Sequence, residues 1–230
     1  MLAVLLTAST MVGCKDSDSD PVGPPPPPPP PETQMIGWTV TAANMAGAPG
    51  AVIRLVCEPN GRAATIRGTL VYTDDSSICT AAVHSGLIGM VGGGAVEITI
   101  QDRQVNYPGS SKNGITSGYY GAWNRGFSFG AVTVEKAEWS TTMTTRRGRN
   151  NDVFVLDCPA NGVAGSIWGT SVYTDDSSVC TAAVHDGLIT RASGGRVFVA
   201  VRPGRSSYTA STRNGVTSRS YGSWVGSFDF

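Results

Sequence analysis

The sequence predicts an α+β fold, with two copies of an antiparallel β-sheet module that each wrap around one central α-helix. Three observations support this fold class. The chain of 230 residues repeats at an offset of 101 residues, and the run 71–88 returns at 172–189 with two changes. Within each copy, apolar and polar residues alternate over short segments, as in strands with one buried face. Each copy also holds one short segment that is apolar on nearly every side, as in a helix that is buried all round.

The repeat extends well beyond that run. Trp38, Cys57, Tyr107 and Trp123 recur at the same offset as Trp139, Cys158, Tyr208 and Trp224. A period of 101 residues is too long for a solenoid unit and suits a domain with its own core. We therefore divide the chain into a leader (1–14), a linker (15–34), a first module (35–133) and a second module (134–230).

Four strands are predicted in the first module. β-Branched and aromatic residues indicate strands at 38–41, 51–56 and 68–73, and a fourth strand follows from the alternation of Val96, Ile98 and Ile100 with polar residues.

The fourth strand differs between the modules on its outer face. In the second module, Val197, Val199 and Val201 repeat the inward set, but Phe198 and Ala200 replace the polar positions. Because these two side chains are apolar, the outer face of this strand is expected to be partly covered.

One helix is predicted between the third and fourth strands. Residues Asp74 to Ser77 supply N-cap candidates and place negative charge at the positive end of the helix dipole. Gly86 is a natural C′ residue, so the helix is expected to end after about ten residues. Asn113-Gly114 and Asn214-Gly215 predict tight hairpin turns, since type I′ geometry needs positive φ at both central residues.

The leader predicts export and anchoring. Residues 1–13 are almost wholly apolar or small and end just before Cys14. This pattern resembles a bacterial lipoprotein signal, and the segment is too short to span a bilayer as a helix. It predicts lipidation of Cys14 and a protein anchored to the bacterial cell envelope, periplasmic or at the cell surface. Such signals usually begin with Lys or Arg, so the true start is expected upstream of Met1. A cleaved secretory signal with an incidental cysteine is the alternative.

The linker combines an acidic Asp/Ser run with eight consecutive prolines at 24–31. The acidic run cannot bury apolar surface and is expected to be disordered. The prolines are expected to form a polyproline II rod of roughly 25 Å. We interpret the linker as a spacer beside a lipid anchor, and a ligand for a proline-binding domain is the alternative.

The five cysteines divide into Cys14 and one pair in each module. Cys57 and Cys79 are separated by 22 residues, and so are Cys158 and Cys180. An even count within each exported module predicts the disulfides Cys57–Cys79 and Cys158–Cys180. Zinc is the weaker alternative, because the clustered CxxC spacing is missing. We predict neither a metal nor a cofactor.

The residues around the predicted helix resemble the LCCL domain. The resemblance rests on the SSxCxAAVHxG core at 76–86, on Gly93-Gly94, on Tyr107 and on the run 113–117, and the second module carries the same features. It covers roughly residues 45–130 and 146–230. It implies β-sheets around a central helix and an extracellular binding or scaffolding unit, with lipopolysaccharide or lipid as the proposed ligand class. Family members often carry a second disulfide that these modules lack, and no ligand residues come with the resemblance.

No catalytic arrangement is predicted. His84 and His185 are the only histidines, and each lies on a predicted helix near a cysteine. Cys79 and His84 are about 500° apart around a helix, which favours a structural histidine over a Cys–His nucleophile pair. A triad of Ser76, His84 and Asp74 lacks a nucleophile elbow. We predict that the chain is not an enzyme.

The adjacent aspartates have two interpretations. Asp74-Asp75 and Asp175-Asp176 offer carboxylates for calcium, but the glutamate and glycine spacing of a known loop does not follow them. Helix capping is the favoured interpretation.

Arginines distinguish the second module. The net charge is −3 over 14–34, 0 over 35–135 and +3 over 136–230, which is too weak a field to predict nucleic-acid binding. Because arginine pairs with phosphate and carboxylate, and aromatic rings stack on sugars, we predict a ligand-binding set in module two. Its members are Arg202, Arg205, Tyr208, Arg213, Arg219 and Trp224. A second group is Arg146, Arg147 and Arg149. For these arginines, a solvated face without a ligand is the favoured interpretation, and the ligand-binding set is the candidate that a binding function would require.

Together these features predict a non-catalytic exported protein whose two modules bind an anionic glycolipid or polysaccharide. The alternative is a protein–protein adhesion or scaffold protein at the cell surface, in which the tandem increases avidity.

Overall fold

The computed structural model describes residues 34–230. The predictions about the leader, about lipidation of Cys14 and about the acidic and proline runs fall on residues outside that range.

Module one is built on a six-stranded sheet. Its elements are β1 (Gln34–Ile36), β2 (Val52–Cys57), β3 (Gly68–Thr69), β4 (Val71–Thr73), α1 (Ile78–His84), β5 (Gly94–Gln101), β6 (Ser111–Lys112), β7 (Ile115–Thr116) and β8 (Gly126–Ser128). The strand order is β1-β2-β5-β8-β4-β3, and β6 pairs with β7 as a separate hairpin. Every pair in the sheet is antiparallel except β1–β2, which is parallel.

Module two repeats this topology. Its elements are β9 (Val134–Lys136), the 3₁₀ turn η1 (Thr144–Arg146), β10 (Val153–Cys158), β11 (Gly169–Thr170), β12 (Val172–Thr174), α2 (Val179–His185), β13 (Gly195–Pro203), β14 (Thr212–Arg213), β15 (Val216–Thr217) and β16 (Gly226–Asp229). The sheet order is β11-β12-β16-β13-β10-β9, with β9 and β10 parallel. The predicted fold class is confirmed, with one refinement, because the first strand of each module makes the sheet mixed.

The central helix is buried but shorter than predicted. α1 has seven residues, all of them buried, and its N-cap is Ser77, whose hydroxyl accepts from the Thr80 N–H. Gly86 follows the cap Ser85 with φ +78°, as expected of a C′ glycine. The prediction that Asp74 and Asp75 cap the helix is wrong. Residues 74–76 form a turn in which the Ser76 N–H donates to the Thr73 carbonyl, and this turn holds both carboxylates away from the first helical turn.

The disulfide prediction is confirmed in both modules. Cys57 bonds to Cys79 with the Cα atoms 5.6 Å apart, and Cys158 bonds to Cys180 with a separation of 5.7 Å. Each bridge ties the end of a central strand to the helix. It therefore fixes the helix against the sheet in a module that contains few other long elements.

The first strand was predicted at 38–41 and lies instead at Gln34–Ile36. After Gly37 the chain turns, with the Val40 N–H donating to the Gly37 carbonyl at 3.2 Å. The turn buries Trp38, whose indole N–H donates to the Glu58 carbonyl at 2.9 Å. The ring lies over Gly61, where an added Cβ would come within 1.7 Å of it. Trp38 is therefore a buried core side chain in a turn, and not part of a strand.

The two predicted Asn-Gly turns are confirmed. Asn113 and Gly114 have φ of 52° and 75°, and Asn214 and Gly215 have φ of 47° and 73°. Each side-chain amide also donates at 3.0 Å to a carbonyl at the end of a helix, from Asn113 to His84 and from Asn214 to His185. The hairpin turns thus satisfy helix carbonyls that would otherwise lack a partner.

The two modules pack directly against each other. A docking face on module one, formed by Val71, Tyr107, Tyr120 and Trp123, contacts a strand face on module two, formed by Val153, Val155, Phe198 and Ala200. Phe198 and Ala200 are 2% and 0% exposed, so the prediction that this outer face is covered is confirmed.

Polar contacts fix the orientation of this interface. The buried Asn106 amide donates to the Phe198 carbonyl at 2.7 Å, and its oxygen accepts from the Phe198 N–H at 3.0 Å. The side chain therefore satisfies both backbone groups of one residue in β13. Lys112 forms an ion pair with Asp152 across the interface at 3.0 Å.

Each module keeps one face that the interface does not use. In module one, the positions that match the strand face carry Val52, Arg54, Glu97 and Thr99, and Arg54 pairs with Glu97 at 2.9 Å. In module two, the positions that match the docking face carry Val172, Tyr208, Tyr221 and Trp224.

Candidate binding surface

The histidines are structural. His84 is fully buried, with Nδ1 2.8 Å from the Tyr72 hydroxyl and Nε2 3.2 Å from the Ser110 carbonyl oxygen. This arrangement fits an Nε2–H tautomer that donates to the carbonyl while Nδ1 accepts from Tyr72. Burial lowers the pKa of His84 and raises the pKa of Tyr72 to about 12. His185 makes the same contacts with Tyr173 and Ser211.

Neither Ser76 nor Cys79 is placed to act as a nucleophile with His84. The Ser76 hydroxyl bonds to the Thr73 hydroxyl at 2.9 Å and accepts from the Arg67 N–H, and the neighbouring Cys79 is held in its disulfide. The hydroxyls of Ser110 and Ser211 lie 3.2 and 3.1 Å from Nε2 of His84 and His185, and the Ser110 hydroxyl is buried and also bonds to the Thr69 hydroxyl at 2.8 Å. The histidines therefore hold the helix to the sheet.

The aspartate pairs take part in side-chain networks. Asp74 accepts from the Trp123 indole N–H at 2.7 Å, and Asp175 accepts from Trp224 at 2.8 Å. Arg147 donates to both oxygens of Asp175, at 2.6 and 2.8 Å. These bonds hold the pKa of Asp175 below its usual value even though burial opposes them. In the described part of the chain, no group of three or more His, Cys, Asp or Glu side chains is placed to hold a metal ion.

The predicted arginine set is only partly brought together. Arg202 and Arg213 line one cleft of about 440 Å³, together with Asp186, Asp229 and the module-one residue Tyr119. Arg202 binds both oxygens of Asp229, at 2.8 and 2.9 Å, and also donates to the Gly109 carbonyl of module one at 2.7 Å. The Arg213 guanidinium lies 3.7 Å from the Asp186 carboxylate. The cleft therefore contains two cations matched by two carboxylates.

Burial raises the pKa of both carboxylates in this cleft. At Asp186, hydrogen bonding from Tyr173 opposes the effect of burial, and at Asp229 the ion pair with Arg202 opposes it. Protonation of the two acids would leave the cleft with a net positive charge, so lowering the pH would favour anion binding there.

The other members of the set lie elsewhere. Arg205 and Arg219 are exposed and, within residues 34–230, neither forms an ion pair shorter than 4 Å. Tyr208 is 4% exposed, so its ring is not open to a ligand. Trp224 is partly exposed and belongs to a different cavity from the one that Arg202 and Arg213 line.

The second arginine group is engaged within the chain. Arg146 pairs with Glu135, Arg147 with Asp175, and Arg149 with Asp152. Two of these guanidiniums also lie over the Phe154 ring, with Arg146 Cζ 4.4 Å and Arg149 Cζ 4.8 Å from its centroid. Because their charge is already paired, this group contributes little to an external anion site.

One cavity was missed by sequence reasoning. It has a volume of about 200 Å³ and is lined by Trp168, Thr174, Asp176, Tyr221 and Trp224. We call it the aromatic cavity. The signal that could have found it is a difference between the repeats, because Trp168 stands where module one has Arg67.

Comparison with known proteins identifies the family of these modules. The LCCL domain family matches the chain twice, over residues 36–127 and 135–228. Cysteine-rich secretory protein LCCL domain-containing 2 of Homo sapiens is 34% identical over 167 residues, which cover 69% of this chain and 33% of that protein. Cysteine-rich secretory protein LCCL domain-containing 1 of Mus musculus is 37% identical over 68% of the chain and 33% of its own length. Vitrin of Mus musculus is 41% identical over 80 residues, which cover 34% of the chain and 12% of that protein.

The aligned region spans about a third of the length of the secretory-protein relatives. Between residues 34 and 230, neither helix is long and apolar enough to cross a membrane. The paired family matches agree with the repeated topology, the central helix and the helix-to-strand disulfide in each copy. This chain belongs to the LCCL domain family and carries two LCCL domains in tandem.

Proposed function

We propose that this chain is an exported, non-catalytic adhesion protein in which the second LCCL module presents the surface that binds a partner protein. One observation carries the proposal. The docking face of module one is occupied by module two, whereas on the matching face of module two Tyr221 is exposed and Trp224 is partly exposed.

The two faces share their architecture. Tyr120 and Trp123 of module one meet edge to face with their ring centroids 5.2 Å apart, and Tyr221 and Trp224 of module two do so at 5.5 Å. In module one this arrangement already binds a protein surface, the strand face of module two. In module two Tyr221 is 45% exposed, so an aromatic face of the same design remains available.

Export is supported by two features. Two disulfides are typical of proteins that mature in an oxidising compartment. The relatives in the comparison include proteins named as secretory. These relatives come from animals, so they support export and not a bacterial envelope.

Lipid anchoring through Cys14 is a further part of the proposal. It rests on the apolar run that precedes Cys14 and on the pairing of the other four cysteines, which leaves this one unmatched. Metabolic labelling with a fatty acid is expected to mark the wild-type chain and not Cys14→Ala. Labelling that persists in the variant contradicts anchoring at this residue.

The adhesion proposal is tested by photo-crosslinking. A photoreactive amino acid is placed at Tyr221 on the open face and, as a matched control, at Val52 on the polar face of module one. On cells that produce the protein, Tyr221 is expected to give a discrete protein adduct that excess unlabelled chain competes away, and Val52 is expected to give none. Equal labelling from both positions contradicts a selective face on module two.

An anionic glycan or lipid phosphate is the second candidate ligand. It is favoured by the exposed Arg205 and Arg219, which are part of the +3 net charge of 136–230, and by Arg213 in the cleft that Arg202 also lines. If two or three of these side chains contact an anion, replacing all three by Gln is expected to weaken binding roughly tenfold or more. Calorimetry of the 34–230 chain and this variant at low and high salt measures the effect. Unchanged affinity in the variant rejects this candidate.

A further inference from the structure

The aromatic cavity contains a carboxylate oxygen without a partner. Asp176 Oδ1 is buried and accepts no hydrogen bond from any group between residues 34 and 230. The surrounding wall presents the rings of Trp168, Tyr221 and Trp224. A buried acceptor left unpaired is costly, and π faces around a negative charge favour a cation.

Module one shows what fills the equivalent space. There the Arg67 guanidinium donates to Asp75 at 2.7 Å and lies over the Tyr120 ring, with Cζ 5.3 Å from the centroid. The other oxygen of Asp75 accepts from the Thr73 hydroxyl at 2.5 Å. In module one, therefore, the chain supplies its own guanidinium to the carboxylate and the ring.

Module two lacks both of these partners. Trp168 replaces the arginine, and the Thr174 hydroxyl bonds to Ser177 and not to Asp176. The substitution removes an internal cation and adds a third aromatic ring to the wall. The carboxylate stays in place, so the cavity retains the features that bind a guanidinium in module one.

The nearest arginine does not satisfy this carboxylate. Arg147 binds both oxygens of Asp175, and its Cζ lies 5.8 Å from the Trp224 centroid. Among the described residues, no ion pair within 4 Å joins Arg147 to Asp176. Between residues 34 and 230, the chain therefore supplies no cation to the unpaired oxygen of Asp176.

We propose that the aromatic cavity of module two binds an arginine side chain presented by a partner protein, with Asp176 as the anionic contact and Trp168, Tyr221 and Trp224 as the enclosing rings. The proposal deepens the adhesion function and rests on it for the source of the arginine. Guanidinium is the chosen cation because module one holds one in the equivalent position. Tyr221 and Trp224 also belong to the open face, so one partner surface can contact both.

Titration with a blocked amino acid tests the cavity alone. Nα-acetyl-arginine amide is added to the 34–230 chain, and the indole N–H resonances of all five tryptophans are followed by NMR. The signals of Trp168 and Trp224 are expected to shift in a saturable manner. The uncharged isostere Nα-acetyl-citrulline amide is expected to bind about tenfold more weakly or worse, since it lacks the charge. Equal responses to the two compounds, or no response to either, overturn the proposal.

Two variants and one matched control locate the site. Trp168→Arg is expected to refill the cavity as in module one and abolish the arginine response. Asp176→Asn, which preserves shape and removes charge, is expected to weaken binding about tenfold. Asp75→Asn makes the same change in module one, where the cavity is already occupied, and is expected to leave the response unchanged. Full response in Asp176→Asn, or loss of the response in Asp75→Asn with the fold intact, overturns the assignment.

The two proposals fail separately. A protein adduct from Tyr221 without an arginine response keeps the adhesion face and rejects the cavity. An arginine response without any adduct supports the cavity and rejects the adhesion function on those cells.

Discussion

Replacing Asn106 by Ser is expected to loosen the contact between the two modules. Asn106 is fully buried, and its amide forms two hydrogen bonds with the backbone of Phe198. Serine, which module two has at the matching position 207, is too short to reach both groups. Each backbone group left unpaired costs about 1–3 kcal/mol, so we expect a loss of about 2–4 kcal/mol after partial compensation by water.

Two measurements follow this change. For a chain of this size about 1 kcal/mol shifts the melting temperature by roughly 2–4 °C, so calorimetry should show melting lowered by roughly 4–16 °C. Amide hydrogen exchange at Phe198 should accelerate by about tenfold or more, because its N–H loses its acceptor. The control Ser207→Ala changes an exposed residue and is expected to stay within about 0.5 kcal/mol of the wild type. Unaltered exchange at Phe198 would refute the role given to Asn106.

Three further predictions concern stability and association. Because burial lowers the pKa of His84, the unfolded chain takes up a proton near pH 6.5 and the folded chain does not. The free energy of unfolding should therefore fall as the pH drops below about 6.5, by at most about 1.4 kcal/mol per pH unit. In urea denaturation, His84→Gln should show a weaker dependence of this free energy on pH. Replacing Cys57 and Cys79 together by Ser opens a loop closed over 22 residues and should cost about 3 kcal/mol in urea denaturation, and an unchanged midpoint would contradict this. Combining Arg54→Val with Glu97→Phe gives module one the residues that form the strand face of module two. The double variant should associate in a concentration-dependent manner in sedimentation, through docking of another copy on this face. A double variant that stays monomeric would argue against the strand face as the binding surface.

Local sequence patterns predicted the fold well because the repeat doubled every signal. The buried helix and the Asn-Gly turns followed from patterns within a few residues, and both disulfides followed from the equal cysteine separation of 22 residues in the two modules. Among the N-cap candidates, Ser77 is confirmed. The prediction failed at 38–41 and in the capping role given to the aspartates, for one shared reason. Trp38 and Asp74 have side chains whose partners, Glu58 and Trp123, lie far along the chain, and those tertiary bonds overrode local propensity.

The candidate site was harder to predict from sequence. Phe198 and Ala200 indicated that a strand was covered, but nothing local pointed to Asn106, a polar residue in an irregular segment 92 positions away. The number of arginines showed that module two is positively charged, but it did not show that several of them form ion pairs within the chain, as Arg202 does with Asp229. The exchange of Arg67 for Trp168 was visible in the repeat, but its meaning depended on seeing the Arg67 guanidinium against Asp75.

The contact between the modules joins two different surfaces, and this gives the molecule a polarity. A contact of this head-to-tail kind has no twofold axis to close it, so a row of identical modules would keep adding members and grow into a fibre. On the first module, the exposed pair Arg54–Glu97 stands where the strand face of the second module has Val155 and Phe198, so this end lacks the apolar surface that the contact uses. A copy that docked on the second module would have to use this charged face, so the row does not extend through the same contact. A duplicated domain has in this way become a directional unit, with a charged face on the first module and an exposed aromatic face on the second.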